Sequence, residues 1–296
     1  MWPTMNPWYK VILYIIRDSY SGYDLYVGLG KLGGTCNEIS VTSHIGVGSM
    51  AGWSCDAIMT SELARSWWAE PLLATMSFST FIGLFRAAEG RTWRASNAAH
   101  PLTIAGILSL ITYWLGVGLW VSVVPKPVAQ PVGCPRSTHE FLYLIAEVVA
   151  GIVGYDFLLF FMHMLMHSSP TICHVFGHLG HHAHDDGSGG ACRTTNHSLL
   201  DGCVQVIVNI FCQRHTPWGT AKSRVARWLH NVIVIEMLVE SHSESAHPRI
   251  ARRLFSGVAK HHLHHRHQGP PYQQFFGYLD DWLMPAVKKW HGSQRS

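Results

Sequence analysis

The chain has 296 residues, only 14% of them charged and 48% hydrophobic. An ordinary soluble domain carries about 25% charge, so this composition argues against a soluble enzyme and against a disordered chain. The net charge of +4 is not gathered into Lys/Arg stripes, which leaves no footprint for nucleic acid.

Residues 1–70 are mixed, Gly-rich from Val27 to Gly34 and without a clear period. They are read as an N-terminal region of unassigned role, a cap or an interfacial segment. Within them the apolar run Val11 to Ile16 is too short for a signal-peptide core, so no cleaved leader is expected. Pro71 to Phe85 is uncharged for 15 residues and is stopped by Arg86; a span this short borrows length from its flanks. Pro101 to Pro125 is uncharged for 25 residues. At about 1.5 Å per residue it reaches roughly 37 Å, enough to cross a hydrocarbon core of about 30 Å.

A third apolar stretch, Phe141 to Met162, carries Glu147 and Asp156, charges that should face protein or water rather than lipid. Gly202 to Gln213 and Trp228 to Ile235 are too short to span singly, and fit a half-depth hairpin or an interfacial pair. The expected fold is therefore all-α. It is an integral membrane bundle of three to four spanning helices plus a half-depth hairpin, with residues 71–296 forming one domain. Arg86, Arg91 and Arg94 between the first two spans outnumber Lys126 and Arg136 between the next two. By the positive-inside rule this places the far end of the third span in the cytosol. Seven cysteines with no C-x-x-C pair indicate neither a disulfide framework nor a thiolate zinc site, and suit reducing surroundings.

The 21 histidines concentrate where the third span ends. FFMHMLMH sets His163 and His167 four apart, on one helical face. Asp156 lies seven residues before His163 on the same stripe, a candidate to orient a ligand imidazole or to form an ion pair. HLGHH follows, with His178, His181 and His182 sharing a face, and HHLHH repeats the spacing at His261, His264 and His265. His262 and His267 point away from that face, while His174 and His184 are ambiguous. These eight imidazoles exceed the three or four ligands of one zinc site and match two metals. Imidazole suits iron, zinc and copper, and no thiolate set competes. Metal occupancy is expected to fall below roughly pH 6.5, since ligation needs neutral imidazole. The bland alternative is a His-rich loop that buffers zinc.

YDFLLFFMHMLMH, HLGHH and HHLHHRH followed by PYQQFFGYLDDW resemble the membrane fatty acid hydroxylase / sterol desaturase superfamily over about Tyr155 to Trp282. The short gap between the first two boxes, 11 residues from His167 to His178, separates this pattern from the acyl desaturases. The resemblance implies a non-haem di-iron centre in a histidine-rich helical cap on the cytosolic surface of the endoplasmic reticulum. Purified protein carrying zinc instead is compatible with it. It implies hydroxylation or desaturation of a sterol or fatty acyl lipid with O2 and electrons from cytochrome b5 or a reductase. It adds His242 in ESHSESAHP as a ligand, and, more weakly, His197 and Asp201 in TTNHSLLDG as outer groups. The sequence departs from the family at Met164, at Leu179 and Gly180, and at Ser243-Glu244-Ser245, which bear on substrate and donor docking. Rival readings are a metal transporter and a metal-free lipid-binding relative.

Overall fold

Serine fixes where four of the helices begin. Ser137, Ser169, Ser198 and Ser223 sit in extended backbone, and each side chain accepts from the amide three residues on. This cap satisfies one of the donors that a first helical turn leaves free. The computed structural model describes residues 55–90, 104–123, 133–182, 190–243, 257–267 and 269–293. Among them the regular structure is helical: α1 Cys55–Thr60, α2 Glu62–Arg65, α3 Ala69–Ala88, α4 Ile104–Val123, α5 Thr138–Met166, α6 Pro170–Phe176, α7 His178–His182, α8 Leu199–Arg214, α9 Arg224–His242, α10 Gly257–His267 and α11 Tyr278–Ser293. A 3-10 turn, Gly190–Thr195, links α7 to α8.

The long helices α3, α4, α5, α8 and α9 pack side by side, α8 chiefly on α4 and α5, α9 chiefly on α3 and α5. Two apolar cores hold them. One gathers Ile82, Phe85, Tyr113, Val117, Ile210 and Ile235; the other gathers Leu144, Val148, Tyr155, Cys212 and Val234. Burial of each such side chain is worth about 1.5–3 kcal/mol. The bundle has two distinct ends. At one, the hydroxyl of Ser243, just after α9, donates to Glu89, just after α3, at 2.8 Å. At the other, Ser223 donates to Glu147 at 2.9 Å, and Gly133 lies so close that a Cβ there would strike Ser223.

Two helices, α3 and α5, are long and apolar enough to cross a membrane, and α4 contains a shorter apolar stretch, Leu110–Trp120. The apolar side chains are not all turned inward. On α5, Ile145, Val149, Val153, Phe157, Phe161 and Leu165 are exposed at every fourth position. Ile107, Ile111, Leu115 and Leu119 repeat the pattern on α4.

Three expectations change here. Arg86 does not stop the first span: it is buried inside α3, its Nη1 3.3 Å from Cys192 Sγ, and the helix continues to Ala88. Gly202 to Gln213 and Trp228 to Ile235, short as apolar windows, lie within longer helices of 16 and 19 residues. The polar residues that interrupt their apolar windows satisfy one another across the bundle. Asn209 Oδ1 accepts from His230 Nε2 at 3.0 Å, and Asn231 Oδ1 accepts from the Tyr113 hydroxyl at 3.1 Å. Finally, Cys55 and Cys134 form a disulfide across 79 residues, a separation with no local spacing to read. Cys173, Cys192, Cys203 and Cys212 take part in no disulfide among the described residues. Most of the N-terminal region 1–70 lies outside the described residues.

Candidate metal centre

Local backbone chemistry aims the histidines. α5 delivers His163 in its last turn and ends on His167 as its C-cap. The short α6 starts with Pro170 in its first turn and ends at Gly177, whose φ of 64° is left-handed. Glycine suits that conformation at no steric cost, and a Cβ there would also strike Ser198. The chain thus turns sharply and enters α7 at His178. From the opposite side, α9 ends on His242 and α10 presents His261, His264 and His265.

All nine of these histidines converge, in two groups. His163, His167, His178, His182 and His264 form one; His181, His242, His261 and His265 form the other. In each group the ligand atoms lie within 4.8 Å of one another. The three histidines of each box do not serve one group, as a single shared face suggested. At about 100° per residue, positions i and i+4 are only about 40° apart, whereas i+3 falls about 60° to the other side. His178 and His182 accordingly join the first group and His181 the second. In α10 the allotment reverses: His261 and His265 join the second group and His264 the first.

The second ring nitrogens show what the first ones are for. Nδ1 of His163 donates to the Tyr272 carbonyl at 2.8 Å and Nδ1 of His178 to the Asp201 carboxylate at 2.9 Å. Nδ1 of His181, His242 and His264 donate to the carbonyls of Asn196, Leu238 and Gly269 at 2.8–2.9 Å. With Nδ1 protonated, Nε2 carries a bare lone pair. These lone pairs face each other: His163 Nε2 is 3.1 Å from His178 Nε2, and His242 Nε2 is 3.0 Å from His261 Nε2. His167 Nε2 and His264 Nε2 are buried with no hydrogen-bond partner. Facing lone pairs repel unless a cation lies between them. A separation near 3 Å is the edge expected between nitrogens that each sit about 2.0–2.1 Å from one ion. The donor set therefore fits metal, and either group could hold an ion.

Burial keeps the imidazoles in the neutral, ligating form. It pushes His167 and His181 down to about 4 and His264 to about 3, the neighbouring histidines adding to the effect. His182, His261 and His265 are lowered for the same reasons. Protonation of the cluster is thus displaced well below the pH of 6.5 expected for a free imidazole.

No protein-family model, curated protein or solved structure matches this chain.

The outer residues fall differently. Asp201, fully buried, accepts from His178 and, at 2.9 Å, from Gln205 Nε2. Asp156 touches no histidine. Its carboxylate accepts from the Phe275 amide at 2.7 Å and from the Gln273 side chain, so it anchors the segment after α10 instead of orienting an imidazole. His197 packs against Gly202 outside both groups. His174 and His267 are exposed; His184 and the His262 side chain lie outside the described residues. The sequence reading missed Tyr272, whose ring stacks on His167 at 5.5 Å, and Asp280, which accepts from the Tyr272 and Gln273 amides at 2.7 and 2.8 Å. The signal was the acid eight residues after Tyr272, a loop-closing distance.

A narrow slot opens from the histidines into the bundle. His163, His178 and His242 line it together with Tyr113, Asn209, Leu159, Val206 and Ile235.

Proposed function

We propose that this protein is a membrane-embedded oxidase that uses two histidine-bound iron ions to hydroxylate or desaturate a lipid. The observation that carries the reading is the convergence of nine imidazoles, eight buried and His167 half-buried, in two groups, five of them lining a slot in the bundle. Iron supplies, when bound, the O2 activation that no side-chain acid or base provides. For hydroxylation the balance is one C–H, O2, two electrons and two protons to one C–OH and one water, the electrons coming from an external donor such as cytochrome b5 or a reductase.

The chain's own residues do the positioning. Asp201 and the carbonyls of Tyr272, Asn196, Leu238 and Gly269 hold the Nδ1–H tautomer, so that Nε2 remains free to ligate. Leu159, Val206 and Ile235 give the slot beside the histidines an apolar part against which a lipid chain would pack. The bilayer setting is supported by the exposed stripe from Ile145 to Leu165. Twenty residues of helix measure about 30 Å, the thickness of a hydrocarbon core, and an apolar face that long is costly in water. The disulfide stands just before α5 and the histidines at its end. Disulfides persist in oxidising compartments, which supports histidines facing the cytosol and agrees with the arginine count. Residence in the endoplasmic reticulum follows the family resemblance.

The test is metal analysis of the purified chain, followed by lipid profiling in a host lacking sterol and fatty acid hydroxylases. Two irons per wild-type chain and a lipid gaining one oxygen or losing two hydrogens are expected. His181→Ala and His264→Ala should each lower the metal content and abolish the product. Full metal in both variants would overturn the assignment.

A further inference from the structure

Charge is missing from one flank of the histidine centre. Among the described residues from Phe157 to Gln213, which take in the end of α5, then α6, α7 and nearly all of α8, no Lys, Arg, Asp or Glu is exposed. Arg193 and Asp201 are both buried. What is exposed there is mostly apolar. Phe157, Phe161 and Leu165 end the stripe on α5, and Val175 on α6, Leu179 on α7 and Leu199 on α8 carry on from it. Leu200, Ile207 and Phe211 then continue along α8. The one titratable side chain exposed in this stretch is His174, beside Val175, and an imidazole has an apolar body and a polar tip suited to a wet boundary.

The other flank differs. α10 exposes Arg266 and His267 and α11 exposes Asp281, while the far end of the bundle exposes Arg136 and Glu140. Charged side chains are the ones a protein ordinarily leaves in water, so a surface this long without them is not built to face water. Nor does it have the outline of a protein interface, an apolar patch inside a polar rim. It has no charged rim and continues into the apolar stripes of α5 and α8. Local bonds set its level. The Ser198 hydroxyl donates to the Phe176 carbonyl, tying the end of α6 to the start of α8. Asp201, in the first turn of α8, accepts from His178, the first residue of α7. Val175, Leu179 and Leu199 thus belong to three elements joined beside the histidines. From Leu199 the exposed side chains of α8 stay apolar to Phe211, about 18 Å along the helix.

We propose that α6, α7 and the first turn of α8 form a ledge immersed among the phospholipid chains of the bilayer, so that the histidine centre borders lipid on this flank. Interfacial helices lie in this way, with the apolar face sunk about 5–10 Å into the boundary between headgroups and acyl chains. Because α7 supplies histidines to both groups, lipid along its outer side keeps bulk water from both. The proposal rests on the bilayer setting of α5 but not on iron or on any reaction.

The test takes the full chain, without substitutions, in phosphatidylcholine nanodiscs in which part of the lipid carries a photoreactive diazirine on an acyl chain. Peptide mass spectrometry after photolysis locates the adducts. Val153 and Phe157 on the α5 stripe serve as the standard for lipid contact. Leu263 on α10, 47% exposed beside Arg266 and His267, serves as the standard for water against Leu179, 42% exposed. Val175, Leu179 and Leu199 should take up the label in the same yield as Phe157. Hydroxyl radicals generated in the water around parallel discs should oxidise Leu263 and spare Leu179 and Leu199. Adducts on Val153 and Phe157 with none on the three ledge residues would overturn the ledge and leave the spans standing, as would equal oxidation of Leu179 and Leu263. No adduct at any of these positions would overturn the bilayer setting and the ledge with it.

Discussion

Asp201→Asn is the most discriminating single change at the metal centre. The carboxylate accepts from His178 Nδ1 through one oxygen and from Gln205 Nε2 through the other, both at 2.9 Å, and is fully buried. Asparagine has the same shape but only one acceptor. If its oxygen serves His178, its amide faces the Gln205 amide, donor against donor. If its amide serves His178, the imidazole must place its proton on Nε2 and can no longer ligate through it. Either orientation weakens the five-histidine group, whereas in the other group His181 and His242 have outer partners of their own, the carbonyls of Asn196 and Leu238. Loss of such an outer carboxylate costs about 10- to 100-fold in metal affinity, about 1.4–2.8 kcal/mol. A chelator titration read by metal analysis should therefore strip one ion from the variant at a chelator level where wild type keeps two. Unchanged affinity, or equal loss of both ions, would refute the assignment of Asp201 to one group.

Asp156→Ala removes the acceptor of the Phe275 amide and the Gln273 side chain. The stranded donors predict a stability loss of about 3 kcal/mol, read as a lower unfolding midpoint, together with weaker metal binding because Tyr272 lies in the same segment. An unchanged midpoint would remove Asp156 from that role. Peptide mapping without reductant should recover Cys55 linked to Cys134. Cys55→Ser should lower stability by about 2–5 kcal/mol, as expected for a cross-link closing a long loop; free thiols at both positions would refute the pairing. The metal-free protein should lose stability on acidification. Burial lowers His181 to about 4, so between there and about pH 6.5 the unfolded chain binds the extra proton, and ΔG of unfolding falls with pH. From this residue alone the loss between pH 7.5 and 5 is about 2 kcal/mol. Denaturant midpoints that rise on acidification would contradict buried neutral imidazoles.

What was legible in the sequence was local: run length and short-range spacing. Uncharged apolar runs located α3, α4 and α5 to within a few residues, and i, i+3, i+4 spacing picked out eight of the nine histidines that the fold brings together. Contacts made across the bundle were illegible. Arg86 reads as a stop until Cys192 stands beside it, and Asn209, His230 and Asn231 read as breaks in apolar windows until each becomes the other's partner. Asp156 shares a stripe with His163, yet a helix cannot reveal that the segment around Phe275 comes between them. The pairing of Cys55 with Cys134 is of the same kind, a choice made in three dimensions.

The division of the boxes between two groups bears on the loop-buffer alternative. A buffering loop offers its histidines from one segment that can rearrange around whatever ion arrives. Here the first group draws on α5, α7 and α10 and the second on α7, α9 and α10, so neither exists until at least three elements have docked. Because α7 and α10 contribute to both, and in reversed proportion, moving either helix displaces ligands of both groups at once. Such an arrangement fixes the spacing between two ions, a property that buffering does not use and that two-metal chemistry on one substrate requires. The exposed ends fit the same logic. His174 and His267 carry the histidine-rich composition but face solvent, while five imidazoles of the two groups are held from behind, His163, His181, His242 and His264 by a backbone carbonyl and His178 by Asp201. Composition announces metal; restraint on the second nitrogen of five imidazoles distinguishes a built centre from a tract of histidines.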